Sequence, residues 1–198
     1  MINTSVLNKV KSVLHLGACN CEESKIYKDF GIEKVLFVEA NPEIKARNLF
    51  GYSLINYAIF NEDNKKVKFN LIYSDDRTNL GCSSLLNLKH HVKEYPHIKK
   101  VKEIECDTIT IDKIIEQYGK FDLLNMDLQG AEKIALKGAK NTIQSFSYIY
   151  TEVSFTELYE GCVLFDELFK FLKSKNFKLK EIYKVTQSWG DALFKRIK

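Results

Sequence analysis

The chain alternates short apolar runs with segments of helical period, and that alternation limits the folds open to it. Ser12–Leu16 (SVLHL) precedes an acidic turn and a helical stretch at 22–30. Lys34–Glu39 (KVLFVE) precedes Pro42 and a helical stretch at 43–50. Pro42 suits the first turn of a helix, where its missing N–H has no partner to lose. The rhythm returns later: residues 121–128 (FDLLNMDL) read as a strand, 130–140 as a helix and 148–153 as a strand. Residues 163–175 form an amphipathic helix pattern with Leu164, Leu168, Phe171 and Leu172 on one face. Two strand-like runs, 177–185 and 192–197, close the chain with only TQSWGD at 186–191 between them. That link is too short for a crossover helix, so the two runs pair antiparallel. The pattern predicts an α/β fold, with helices on both faces of a mostly parallel twisted sheet and ligands at the carboxyl ends of its strands. The reversed last strand brings the 186–191 turn to that same edge.

The middle of the chain is less regular. Residues 54–60 (LINYAIF) form a third run, and 66–73 alternate Val67, Phe69 and Leu71 inward after a turn at 61–64. Residues 102–110 alternate again before a helix from Asp112. Between them, residues 74–100 are polar and hold Gly81, Ser83, Ser84, His90, His91 and His97. Long insertions of this kind commonly carry function. With only Pro42 and Pro96 as prolines and no Gly/Ser-rich stretch, nothing marks a linker. Residues 1–198 therefore read as a single domain with an inserted polar loop at about 74–100.

Composition removes several function classes. A net charge of +4, with Arg47, Arg77 and Arg196 the only arginines, argues against a nucleic-acid partner or a polybasic membrane contact. No apolar run approaches the roughly 18 residues of a membrane span. Five cysteines with no repeated spacing, and no apolar leader, point to a reducing, cytoplasmic setting. Cys19 and Cys21 have no second pair at zinc spacing, so no structural metal is expected.

The chemistry-bearing residues fall at strand ends. Gly17 stands where the first strand turns toward a helix, but the G-x-G-x-x-G of a dinucleotide site is missing, which disfavours NAD or FAD. Glu39 ends the second strand about 20 residues on, where open α/β nucleoside binders place a carboxylate for ribose hydroxyls. Asp127 ends the fourth strand, followed by Gly130 and Glu132; it can orient a cofactor amino group or the acceptor, or bind a cation. Glu152 ends the fifth, with Glu157, Tyr159 and Glu160 behind it, a set suited to hydrogen-bonding an acceptor.

Taken in order, HLGACNCEES, FVEANPE, NYAIFNED, DTITIDKI, FDLLNMDLQGAEKIALKGA and YTEV resemble FkbM-type S-adenosylmethionine-dependent methyltransferases over about residues 13–153. The D-x-x-G-A-E-x-x-x-L-K-G-A stretch from Asp127 is the most specific piece, and LYEGC with WGDALF is similar to a subgroup. The resemblance implies a Rossmann-like class I methyltransferase, a three-layer sandwich whose seven-stranded sheet ends in the hairpin. It implies S-adenosylmethionine as cofactor, with Gly17 and Ala18 near its methionine moiety, Glu39 on the ribose, Asp127 at the reactive end and 57–61, with Ala58, edging the adenine. His15 and Asn41, which lie within these motifs, are grouped with the cofactor-side residues. His15 stands where many members carry an acid, Cys21 where a second glycine is usual and Gln129 where glutamate is common. The Asn/Asp-Pro-Pro-aromatic signature of amino-methyltransferases is missing at residues 125–128 (NMDL).

The resemblance implies O-methylation of a hydroxyl on a sugar, glycan or small secondary metabolite. N-methylation of a small acceptor and a non-catalytic nucleoside-binding module are the alternatives. Methyl transfer needs an aligned acceptor and a base; the candidates for the base are Asp127, His90, His91 and Asp191. The acceptor-side candidates are Ser83, Ser84, Glu152, Tyr159 and Trp189, the last placed to stack on a ring. A divalent metal is not expected, a shared ion on Asp127 and Glu152 being the minority alternative. A homodimer is left open.

Overall fold

The computed structural model describes residues 4–44, 46, 48–74 and 81–197. Its main sheet is built from β1 (Ser12–Leu16), β2 (Lys34–Glu39), β3 (Ser53–Asn56), β7 (Leu123–Met126), β8 (Tyr148–Ser154), β9 (Phe177–Lys184) and β10 (Trp189–Arg196). The strand order is β3-β2-β1-β7-β8-β10-β9. All neighbours run parallel except β10, which pairs antiparallel with both β8 and β9. The expected hairpin is present, and residues 186–188 turn at the carboxyl edge, since Trp189 pairs with Ser154 at the end of β8.

Alternation along the central strands divides the core into two layers. Leu14, Leu16, Leu36, Val38, Leu124 and Met126 face the side covered by α4 (Ile111–Tyr118), α5 (Glu132–Lys137) and α6 (Phe165–Ser174). Val13, Val35, Phe37 and Leu123 face the side covered by α1 (Thr4–Leu7) and α2 (Ser24–Asp29). Helix α4 starts where its sequence says it should: Thr110 Oγ1 accepts the Lys113 N–H at 3.0 Å. No helix among the described residues is long and apolar enough to cross a membrane.

A second sheet, not anticipated from the pattern, joins β4 (Ala58–Ile59), β5 (Lys66–Ser74) and β6 (Ile98–Ile109) in the order β4-β6-β5. It forms because residues 54–60 break at Tyr57, so that the chain leaves the main sheet after β3 and pairs β4 with β6. The polar segment is accordingly shorter at its end than expected, since β6 begins at Ile98. A four-residue helix, α3 (His91–Glu94), interrupts it, and residues 75–80 lie outside the described residues.

The helix expected at 43–50 is not formed among the described residues there. Asparagine side chains turn the backbone instead: Asn41 Oδ1 accepts the Glu43 N–H at 3.0 Å, and Asn48 Oδ1 accepts the Phe50 N–H at 2.9 Å. Helix α6 starts later than the pattern suggested. Leu164 is its exposed N-cap rather than part of its buried face, which Leu168 and Leu172 supply.

Candidate active site

The carboxyl ends of β1, β2 and β7 converge on a cleft. Gly17, Glu39, Ala58 and Asp127 line it, four of the seven residues expected on the cofactor side. The turn after β1 needs glycine: Gly17 has φ +75°, and a Cβ there would lie 1.8 Å from the Asp127 carbonyl oxygen. That contact lets the β1 and β7 loops close together while Gly17 and Ala18 both donate backbone N–H to the Val38 carbonyl, at 2.9 and 3.2 Å.

Glu39 is buried and held by backbone. Its Oε2 accepts the Cys19 N–H and its Oε1 the Asn41 N–H, each at 2.8 Å. Burial pushes its carboxyl above the usual range, and the backbone donors oppose that shift. Each carboxylate oxygen has two lone pairs, so acceptor capacity toward the cleft remains. Ala58, Ile59, Phe69 and Leu85 make one wall of the cleft apolar.

His15, Ala18 and Asn41 do not line the cleft. His15 follows strand alternation onto the opposite face of the sheet, where its Nδ1 meets Tyr27 Oη at 3.1 Å and its ring packs on Phe37. Tyr27 Oη in turn accepts from Asn125 Nδ2 at 3.0 Å. Burial lowers the His15 pKa. Ala18 is buried, and Asn41 is spent on the turn described above.

A second, wider cavity adjoins the first, and Gly81, Asp127 and Gln129 line both. Its wall includes His91, Glu152, Trp189 and Asp191, all expected from the sequence, together with Tyr95 and His97. Glu152 and Asp191 are register partners across β8 and β10, and this brings their carboxylates to one end of the sheet. Asp127 is exposed at the end of β7, yet desolvation by the protein around its carboxyl pushes it up to about 6, with the charges of Asp191 and Glu23 adding and the Gln129 hydrogen bond opposing. Burial also raises Glu152, with Asp127, Glu132 and Asp191 adding, and it raises Asp191. Glu132 accepts the Leu128 and Gly130 N–H groups at 3.0 and 3.3 Å and is pushed by burial up to about 7.

The histidine pair separates. His91 is buried on the cavity wall, its Nδ1 has no hydrogen-bond partner, and burial lowers its pKa. His90 is exposed as the N-cap of α3 and lines neither cavity. Trp189 Nε1 donates to Tyr95 Oη at 3.2 Å. Ser83 lines the first cleft rather than the second, with its hydroxyl on the Ile72 backbone, and Ser84 is buried with Oγ donating to the Gln129 carbonyl at 2.9 Å. Tyr159 lies behind the wall, its Oη 2.6 Å from Gln129 Oε1.

Gln129 is the residue that sequence reasoning did not place. Its Nε2 donates to Asp127 Oδ1 at 2.7 Å and to Glu152 Oε2 at 3.2 Å. The amide thus stands between the two carboxylates considered as a shared-ion pair. Among the described residues, no group of three or more His, Cys, Asp or Glu is arranged to hold a metal ion.

The fold and the placement of the cleft define a class I methyltransferase architecture. The family model described as the methyltransferase FkbM domain matches residues 15–179. The chain belongs to the FkbM methyltransferase family. It is 38% identical over 80 residues to 2-O-methyltransferase NoeI of Sinorhizobium fredii (strain NBRC 101917 / NGR234), a match covering 39% of this chain and 33% of that protein. The match therefore spans about a third of that relative's length. Among solved structures, the methyltransferase domain of bacterial CtHen1-C superposes with a TM-score of 0.53 at 8% identity, over 98% of this chain and 94% of that one. The N-terminal domain of EvdMO1, crystallised in the presence of SAH and D-fucose, gives 0.51 at 10% identity, over 98% of this chain and 79% of that one. At such identities the likeness is one of fold.

Proposed function

We propose that the chain is an S-adenosylmethionine-dependent O-methyltransferase acting on a hydroxyl of a sugar-like acceptor, with residues 1–198 working as one domain. The observation that carries the reading is the pair of adjoining cavities with Asp127 on their common wall. One cavity has the character of a nucleoside site and the other that of a polyol site.

The first cleft suits the cofactor on its own chemistry. The Glu39 carboxylate, with acceptor capacity left, matches a ribose diol; the Ala58, Ile59, Phe69 and Leu85 wall matches a flat base; Asp127 matches a cationic end. When bound, the cofactor would supply a methyl group on a sulfonium, activated for in-line displacement. The second cavity combines carboxylates with the Trp189 ring, a set suited to hydroxyls on one side and C–H faces on the other.

Asp127 is assigned as the base. A carboxyl raised to about 6 is ionised at neutral pH yet basic enough to take the acceptor hydroxyl's proton as the new O–C bond forms. His91, kept neutral by burial, offers its unpartnered Nδ1 as an acceptor that orients the same hydroxyl or its neighbour. The sequence likeness to an enzyme named 2-O-methyltransferase and the EvdMO1 fold solved with D-fucose support a sugar hydroxyl as the acceptor.

The test is transfer of labelled methyl from S-adenosylmethionine to a panel of monosaccharides and methyl glycosides, fucose included, with a phenol and an amine as controls. Label in a sugar, reduced about 100-fold or more by Asp127→Asn, is expected. Label confined to the phenol or the amine would overturn the acceptor assignment.

A further inference from the structure

Asp127 and Glu152 come from the ends of neighbouring strands, β7 and β8, and one side chain joins them. The Gln129 amide is fixed at three points. Its Oε1 faces the Tyr159 hydroxyl at 2.6 Å, which leaves Nε2 as the end turned toward the carboxylates. Tyr159 is fully buried and also lies 3.0 Å from the Cys82 carbonyl. The backbone of Gln129 is left-handed, φ +51°, and its carbonyl is held by Ser84 Oγ. A non-glycine residue in that conformation is kept there by its surroundings.

We infer that Gln129 is a positioning residue, whose single amide nitrogen ties Asp127 to Glu152 and directs the free oxygen of Asp127 toward the acceptor. The inference rests on the reading of Asp127 as the base. Because Nε2 engages Asp127 Oδ1, Oδ2 is the atom left to receive the hydroxyl proton as the O–H bond breaks. Because the same nitrogen also engages Glu152 Oε2, its two N–H groups oppose the mutual repulsion that raises both carboxyls. The groups facing the pair are Asp191 on β10, Tyr150 on β8, Glu132 on α5, Glu23 before α2, and His91, His97 and Cys82 from the 74–100 segment. Gln129 is the neutral side chain that donates to both carboxylates.

Two substitutions separate positioning from simple structural support. Gln129→Asn keeps a residue type that tolerates the left-handed backbone but shortens the reach to both carboxylates. Gln129→Glu keeps the shape and removes the donor. Carboxyl resonances of the ¹³C-labelled chain, followed from about pH 4 to about pH 9, report the Asp127 ionisation without needing an acceptor. Asp127 is expected to ionise near 6 in the parent chain, and both variants are expected to raise that midpoint by about one unit, a tenfold fall in the ratio of ionised to protonated Asp127 at a given pH. The acidic limb of the transfer rate should move by the same amount. An Asp127 midpoint and an acidic limb that stay in place in both folded variants would overturn the inference. A parent chain that shows the expected midpoints yet transfers no methyl group to any acceptor would overturn the proposed function and leave the tie between the carboxylates standing.

Discussion

The Cβ that Gly17 lacks would stand 1.8 Å from the carbonyl oxygen of Asp127, so the ends of β1 and β7 approach each other only because residue 17 is glycine. The partner atom is backbone and cannot swing aside, and φ +75° adds conformational strain to any side chain. Gly17→Ala is expected to cost about 3 kcal/mol or more of folding stability and to weaken cofactor binding in whatever fraction still folds. Denaturant unfolding followed by calorimetry checks both. An alanine variant of parental stability would show that the β7 loop relaxes at no cost.

Glu39 offers a cleaner test of the cleft, because its own fold contacts are two backbone N–H groups that an amide oxygen can partly keep. Glu39→Gln should fold and should bind S-adenosylhomocysteine about 10- to 100-fold more weakly, the worth of one or two hydrogen bonds to a charged group. Unchanged affinity would remove Glu39 from the nucleoside site.

The buried carboxyls give stability a pH dependence of known sign. Glu132 is raised in the folded chain to about 7, so its contribution is present below the unfolded carboxyl range and is lost as pH rises toward and through 7. His15, lowered by burial, works in the opposite sense: its contribution is present above its unfolded value and is lost as pH falls. Glu132→Gln should therefore flatten the decline of stability between about pH 5 and pH 8 by on the order of 2 kcal/mol. Denaturation midpoints across that range measure it, and a slope equal to the parent's would contradict the assignment.

Trp189 lines only the second cavity, and its indole N–H is already satisfied by Tyr95. Trp189→Ala should raise the acceptor KM about tenfold, for the loss of roughly 1 to 1.5 kcal/mol of ring contact, and leave cofactor affinity alone. A fall in cofactor affinity with no change in acceptor KM would reassign the residue to the end of the core.

The strands were legible where a short apolar run is bounded on both sides. Ser12–Leu16 and Lys34–Glu39 match their elements, and the TQSWGD link could only have been a hairpin. Glu39 and Asp127 followed from strand ends, since an open α/β sheet gathers its ligands there. The 43–50 segment departs from the helix its apolar spacing predicts, because that spacing says nothing of asparagine side chains that capture the backbone first. His15 stands beside the glycine turn, but alternation along β1 turns it the other way, onto Tyr27. The Gln129 tie was hidden for a different reason. It exists only once β7 and β8 lie side by side and Tyr159 returns to brace the amide, and no local pattern encodes those distances.

The cleft walled by Gly17, Glu39 and Asp127 is proposed to hold S-adenosylmethionine. Isothermal titration of the chain with S-adenosylmethionine and with S-adenosylhomocysteine tests this. One site per chain is expected for each, in the micromolar range and weakened by Glu39→Gln. Absence of binding to both by the folded chain would contradict it.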